Sequence, residues 1–245
     1  MPTTVRARDA RSRLRHRLTD ELGDAKLADD VVGALDDGAV AAFVDLAGGD
    51  VETSPRLSYR PPTVAADDID TLWVFTFGYR FAPGVDPATY ESAVPPQDAI
   101  VPGPTNEELA RIAAEYVAPH PVPVIAQALV ADLLTKMGVA DVISVGPDVA
   151  ADGTLTYLST AGAVAKGVSL ARAAGVDIGT AGILGHADHA TRCVLTARAG
   201  GLASAAVPEG VTLPMVYDIH SGQPWTRSRA AYIPTDLAGR LLLGR

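Results

Sequence analysis

Residues 122–146 read VPVIAQALVADLLTKMGVADVISVG, and their pattern decides the fold. Val122 to Ala126 is a short apolar run of the kind a buried strand needs. A segment of helical period follows through Met137 and stops at Gly138, a residue that ends helices at no steric cost. Val142 to Val145 is a second apolar run, closed by Gly146-Pro147. Strand, helix and strand at this spacing form a βαβ unit, and a helical crossover joins strands that lie parallel.

The same grammar extends in both directions. Upstream, Leu72 to Phe77 reads as a buried strand ending at Gly78, and Thr105 with Glu108 reads as a capping box opening a helix to about Val117. Downstream, Ser159 or Thr160 can cap a helix to Ala174 that stops at Gly175. A strand within Val176–Leu184, a helix from His186 to Ala199 before Gly200-Gly201, and a short strand near Ala203–Val207 follow, with a last helix over Arg227–Leu243. The expected architecture is α/β: a Rossmann-like parallel sheet with helices on both faces. Residues 5–47 instead repeat leucine and valine at helical steps, and the proline-bearing stretch from Ser54-Pro55 to Pro61-Pro62 separates them from the strands. Two parts are therefore expected, a helical N-terminal extension over 1–65 and the α/β domain over 66–245. Tyr79 to Pro104 carries six prolines and reads as a long loop, which in a compact domain is usually functional.

Composition narrows the function classes. The chain has 245 residues, 20 Lys+Arg against 29 Asp+Glu, and a net charge of −9, which disfavours a broad nucleic-acid face. Six arginines crowd Arg6 to Arg17, but Asp9, Asp20, Glu21 and Asp24 dilute them, so a solvated helix face is expected rather than a binding arm. No apolar run behind them resembles a secretory signal, and none is long enough to span a membrane. The expectation is a soluble cytoplasmic protein whose partner is a small molecule, not nucleic acid or membrane. A single cysteine, Cys193, excludes an intramolecular disulfide and a thiolate-rich zinc site.

Ligands of parallel α/β sheets bind beyond the C-terminal strand ends, and several polar features fall there. Gly78 permits a close backbone approach, and Arg80 is placed to meet an anion. Gln127 offers a donor and an acceptor at a helix start, where free N–H groups attract anions. Ser159 and Thr160 open another helix; plain N-capping accounts for them equally well. The densest cluster is Gly185-His186-Ala187-Asp188-His189-Ala190-Thr191-Arg192. His189 and Arg192 are three apart and share a helix face, a pairing suited to proton transfer beside an anion. His186, Asp188 and His189 are ligand types that zinc or iron accept, although their spacing matches no helical zinc motif. Trp225, one of two tryptophans, sits in a polar loop where it can stack on a ligand or close the core.

The run from Tyr157 to Gly201 resembles the α/β family of YdcF, SanA and ElyC-type proteins. Ser159-Thr160 stand at the family's helix start, Thr180 to Leu184 supply its strand, and His189-Ala190-Thr191-Arg192 match its His-x-x-Arg. The strand ending at Phe77-Gly78 is similar to its first strand, so the likeness spans residues 70 to 207. The family's asparagine after Ser-Thr is Ala161 here, its helix glutamate falls at Val164, and Ala126-Gln127-Ala128 replace a Ser-Gly-Gly. The resemblance implies a Rossmann-like sheet with a pocket for a nucleotide-like or otherwise anionic ligand, and no particular reaction. The resulting expectation is an enzyme with His189 as acid/base group and Arg192 as anion clamp. Gly78, Arg80, Gln127, Ser159, Thr160, His186 and Trp225 are expected around the ligand. The alternatives are a non-catalytic module for S-adenosylmethionine or a related nucleotide, and a metal-dependent hydrolase using His186, Asp188 and His189; of the cofactors, metal is the less expected.

Overall fold

The computed structural model describes residues 2–90, 94–149 and 155–243. Its centre is a four-stranded parallel sheet built from β1 (Thr71–Val74), β2 (Val124–Gln127), β3 (Val142–Val145) and β4 (Ala181–Leu184), in the order β3-β2-β1-β4. The chain thus winds outward from β1 to β3, then returns to place β4 on the other side of β1. That reversal is the topological switch point of a Rossmann-like sheet, and it lies between β1 and β4. The fold is the expected α/β class. Beyond β4 a parallel bridge joins Gly182 to Ala206, and Val207–Pro208 pairs with Thr63–Val64.

Alternation along β1 sends side chains to two different cores. Leu72 and Val74 pack with Val124, Ala126 and Leu184 against α4 (Pro104–Val117) and α5 (Ala128–Lys136). Trp73 packs on the opposite face with Ile125, Ile183 and Val145 against α6 (Thr160–Ala173) and α7 (Ala187–Ala199). The scarcity of aromatics is met by close approach: α6 lies against the sheet through Gly167, where an added Cβ would stand 2.6 Å from the Trp73 ring. Buried in this same core, the Cys193 thiol is pushed upward by desolvation and stays protonated.

The N-terminal helical region is three helices, α1 (Pro2–Leu22), α2 (Ala25–Ala34) and α3 (Asp37–Leu46). Gly23 at φ +64° and the N-caps Asp24 and Asp36 divide them, each carboxylate accepting from an amide three residues on. Leu14, Leu18, Val32 and Phe43 share one core with Leu57, Phe77 and the apolar face of α8 (Arg229–Leu242), notably Ile233 and Leu237. Within the arginine run, Arg11 donates to the Val32 and Leu35 carbonyls and to Asp37, while Arg15 pairs with Asp29. These arginines fasten helices to one another.

Three local expectations need correction. The helix at 104 is capped by Gly103 with Pro104 in its first turn, and the Thr105 hydroxyl donates to the Val216 carbonyl, so no Thr105–Glu108 capping box forms. The strand expected to reach Phe77 ends at Val74, apart from one further bond from the Phe75 amide to the Leu184 carbonyl. Side chains replace its ladder: Gln127 Oε1 accepts from the Thr76 amide at 2.8 Å, and Asn106 Oδ1 from the Phe77 amide at 2.8 Å. The proline-rich stretch 79–104, of which 91–93 lie outside the described residues, includes an antiparallel pair, Arg80–Phe81 with Ile100–Val101.

Two helical glycines test the packing in opposite directions. Gly167→Ala forces its methyl into the buried Trp73 ring and should cost about 1–3 kcal/mol. Gly33→Ala in α2 meets open space and should instead gain up to about 1 kcal/mol from helix propensity. Urea unfolding of both variants reads the two signs.

Candidate functional site

Because β1 stops early and Gly78 turns the chain away, a cavity of about 670 Å³ opens over the C-terminal ends of the sheet. Gly78 takes φ +70°, and a Cβ there would lie 2.6 Å from both the Ser221 and Thr226 hydroxyls, so glycine alone permits this turn. Asn106 clamps the turn from below, accepting from the Phe77 amide and donating Nδ2 to the Gly78 carbonyl at 2.8 Å. The helix starts at Gln127-Ala128 and Ser159-Thr160 both face the cavity, and their first-turn N–H groups favour negative charge. The walls carry the rings of Tyr79, Phe81, Tyr157 and Trp225.

Of the expected site residues, Gly78, Gln127, Ser159, Thr160, His189, Arg192 and Trp225 border this one cavity. Two engaged side chains leave less to a ligand than their sequence positions suggest. Gln127 Oε1 is occupied by the Thr76 amide and hydroxyl, and the Ser159 hydroxyl caps α6 by accepting from the Gly162 amide. Arg80 and His186 lie elsewhere. Arg80 grips Asp218 with a two-bond fork, Nε to Oδ2 at 2.6 Å and Nη2 to Oδ1 at 2.9 Å, which ties the loop before α8 to the segment after β1. His186 is fully buried behind the cavity wall, stacked on Phe77 at 4.0 Å, with Nδ1 accepting from the Asp188 amide at the start of α7.

The metal reading is not supported by the side-chain arrangement. Among the described residues no three His, Cys, Asp or Glu side chains group as a metal site requires. Asp188, the central ligand of that reading, gives both oxygens to Arg229, at 2.9 and 3.0 Å, and accepts the Tyr217 hydroxyl at 2.6 Å.

Behind the cavity wall lies a charge cluster in which α8 supplies the residues that sequence reasoning missed. Asp236 is fully buried and accepts from Arg192 Nε at 2.9 Å and from Arg240 Nε at 2.7 Å. Arg192 Nη2 also donates to the Tyr232 hydroxyl at 3.0 Å. His189 Nδ1 sits 3.9 Å from Asp236 Oδ1, beyond hydrogen-bond reach, and has no other partner among the described residues. Nε2 is therefore the ring edge left to meet the cavity. Burial alone would raise the Asp236 carboxyl, but Arg240, His189 and Arg192 outweigh it and hold the group well below the usual carboxylate range. Burial, reinforced by the Arg192 charge, brings His189 down to about 4; burial likewise brings His186 to about 4. Both rings are neutral at pH 7. Two guanidinium groups thus share one carboxylate beside a neutral histidine, and the cluster carries one uncompensated positive charge.

Arg227 was also missed. It lies at the cavity mouth, steadied by one bond from Nε to the Ser221 carbonyl, and makes no ion pair among the described residues. The Tyr232–Asp236–Arg240 stripe did have a signal, polar residues four apart within an otherwise apolar helix face. For Arg227 and Asn106 no local pattern marks the role. No protein-family model, curated protein or solved structure matches the chain.

The buried histidines set a pH dependence whose sign is fixed. Their folded pKa values lie below the unfolded value near 6.5, so the unfolded chain takes up protons first and stability falls as pH drops from about 6.5 toward 4. Between pH 7.5 and 5 the two sites together should lose about 4 kcal/mol. Urea unfolding at both pH values should show this fall, and His186→Gln with His189→Gln should remove most of it.

Proposed function

We propose that this protein is an enzyme acting on a small anionic, nucleotide-like metabolite held in the cavity over the C-terminal ends of β1, β2 and β3. One observation carries the reading. The cavity wall holds Arg192, Arg227 and His189 and, among the described residues, no carboxylate, in a chain whose net charge is −9. Buried charge is normally paired, so the uncompensated guanidinium charge behind the wall calls for an anion in front of it.

The roles follow from the geometry. Arg227, with most of its fork unused, is the anion clamp at the mouth. Arg192, already committed to Asp236 and Tyr232, supplies fixed positive potential from a locked position. The rings of Trp225 and Tyr157 offer stacking faces for a base or other planar group. His189 is the proton-transfer group through Nε2. Empty, it is a weak base because Arg192 and burial hold its pKa down. An anion beside Arg192 offsets that charge, so substrate binding itself raises the basicity of the ring. The imidazolium formed on proton transfer then faces the Asp236 carboxylate across Nδ1. The resemblance to the YdcF-type family fits this placement, since Ser159, Thr160, His189 and Arg192 border one cavity. A module for S-adenosylmethionine fits less well, because a sulfonium finds no carboxylate on the described wall.

Calorimetric titration with a nucleoside monophosphate and the matching nucleoside tests the binding claim. The phosphorylated ligand should bind more tightly, and Arg227→Gln should weaken it by about tenfold or more through loss of a charge-assisted hydrogen bond. Equal affinity for the two ligands would overturn the anion reading. Product analysis over a panel of phosphorylated and carboxylated metabolites tests the chemistry: His189→Gln should keep binding within a few fold and abolish turnover, and a variant with full turnover would sink its role.

A further inference from the structure

A second cavity, of about 250 Å³, lies beside the C-terminal ends of α7 and α8, and the function proposed above does not use it. Its walls are Arg56, Arg198 and Arg240 with Leu46, Leu195, Ala199 and Leu243. No carboxylate borders it among the described residues. Arg240 is fully buried, and its bonds are committed unevenly. Nε goes to Asp236, and Nη1 goes to the Arg56 and Ser58 carbonyls, the latter at 2.6 Å. Nη2 is buried and has no hydrogen-bond partner among the described residues. The guanidinium also lies over the Tyr59 ring, 4.1 Å from its centroid, which steadies the charge but supplies no acceptor, and native structures seldom bury such an N–H without an oxygen to meet it.

The neighbours share the deficit. Arg198 is held by one bond from Nε to the Ala205 carbonyl and makes no ion pair among the described residues. Arg56 lends Arg240 its carbonyl, and its own guanidinium has no described partner. The carboxylate that Arg240 does have is shared with Arg192. The negative ends of the α7 and α8 dipoles steady cations here, yet they leave Nη2 unfilled.

We infer that this crevice is a second anion site, taking a small oxyanion of the phosphate class. The chemistry is guanidinium recognition of tetrahedral or planar oxygens: exposed Arg56 and Arg198 border one apolar-floored recess that buried Arg240 backs. Its volume falls below the range of ordinary small-molecule pockets, so the ligand is the oxyanion itself or one with a short apolar tail along Leu46, Leu195 and Leu243. The site is independent of the main cavity in its lining, and it touches the same Asp236 through Arg240.

Inorganic phosphate is the probe, and the readout is the thermal midpoint of the full chain against sodium chloride at matched ionic strength. Wild type should rise with phosphate, and the rise should persist in Arg227→Gln, which disables the clamp of the main cavity. Adding Arg56→Gln and Arg198→Gln, both exposed side chains, should lower the apparent phosphate affinity by about tenfold or more. The inference is overturned if wild type shows no rise over chloride. It is equally overturned if Arg227→Gln alone abolishes the rise, or if the Arg56 and Arg198 substitutions leave it unchanged.

Discussion

A single carboxylate, Asp236, holds the structure around the candidate site together. It is fully buried and accepts from Arg192 on α7 and from Arg240 one turn further along α8. Arg240 in turn binds the carbonyls of Arg56 and Ser58, which fixes the connector after α3. Through these bonds one anion joins the α/β body, the last helix and the N-terminal helices. Removing it would leave buried Arg240 and half-buried Arg192 without a counter-charge, a defect that costs several kcal/mol, on the order of 3–5 in buried pairs. The apolar packing of Ile233 and Leu237 against Leu14, Leu18 and Phe43 depends on α8 lying where this cluster puts it.

The cavity itself comes from the early end of β1. A strand continued to Phe77 would keep its amides in the ladder and carry the chain straight over the sheet. Gln127 and Asn106 capture those amides instead, and Gly78 then adopts a left-handed backbone conformation that residues with a side chain rarely take. The freed chain returns near Asp218, where the Arg80 fork ties it to the loop that carries Trp225 and Arg227. Arg80 therefore acts on the cavity by positioning that loop.

Much of the sheet was legible because its signals are local. Val142–Val145 as a strand, Gly138 and Gly175 as helix ends and Ser159 as a cap each depend on a few adjacent residues, and the structure has all four. The His189–Arg192 pair was legible for the same reason, since three-residue spacing places both on one helix face. What escaped depends on distant partners. Arg80 looks like a ligand residue until Asp218 arrives from 138 positions away, and His186 looks reactive until Phe77 stacks on it. Thr105 and Glu108 have the letters of a capping box, but the adjacent Gly103-Pro104 starts the helix two residues earlier. Asp236 sits in a helix whose leucines attract notice first, and its importance appears only when α8 docks on α7.

The −9 charge and the cationic cavity are two parts of one selection problem. Exposed carboxylates repel anions at long range, but at physiological salt that repulsion fades over a Debye length of about 8 Å. On the proposed function, a ligand wins its place at short range, through directed bonds from Arg227 and the fixed charge of Arg192, so poorly shaped anions gain little. The same arrangement governs the histidine. His189 is kept neutral and weakly basic by burial and by the Arg192 charge, the one proposed to attract the ligand. In the proposed mechanism an anion of the right shape cancels that charge next to the ring, so the base strengthens only when something is present to react. Locking Arg192 against Asp236 and Tyr232 makes this possible, because a free arginine would follow the ligand and leave the histidine unchanged.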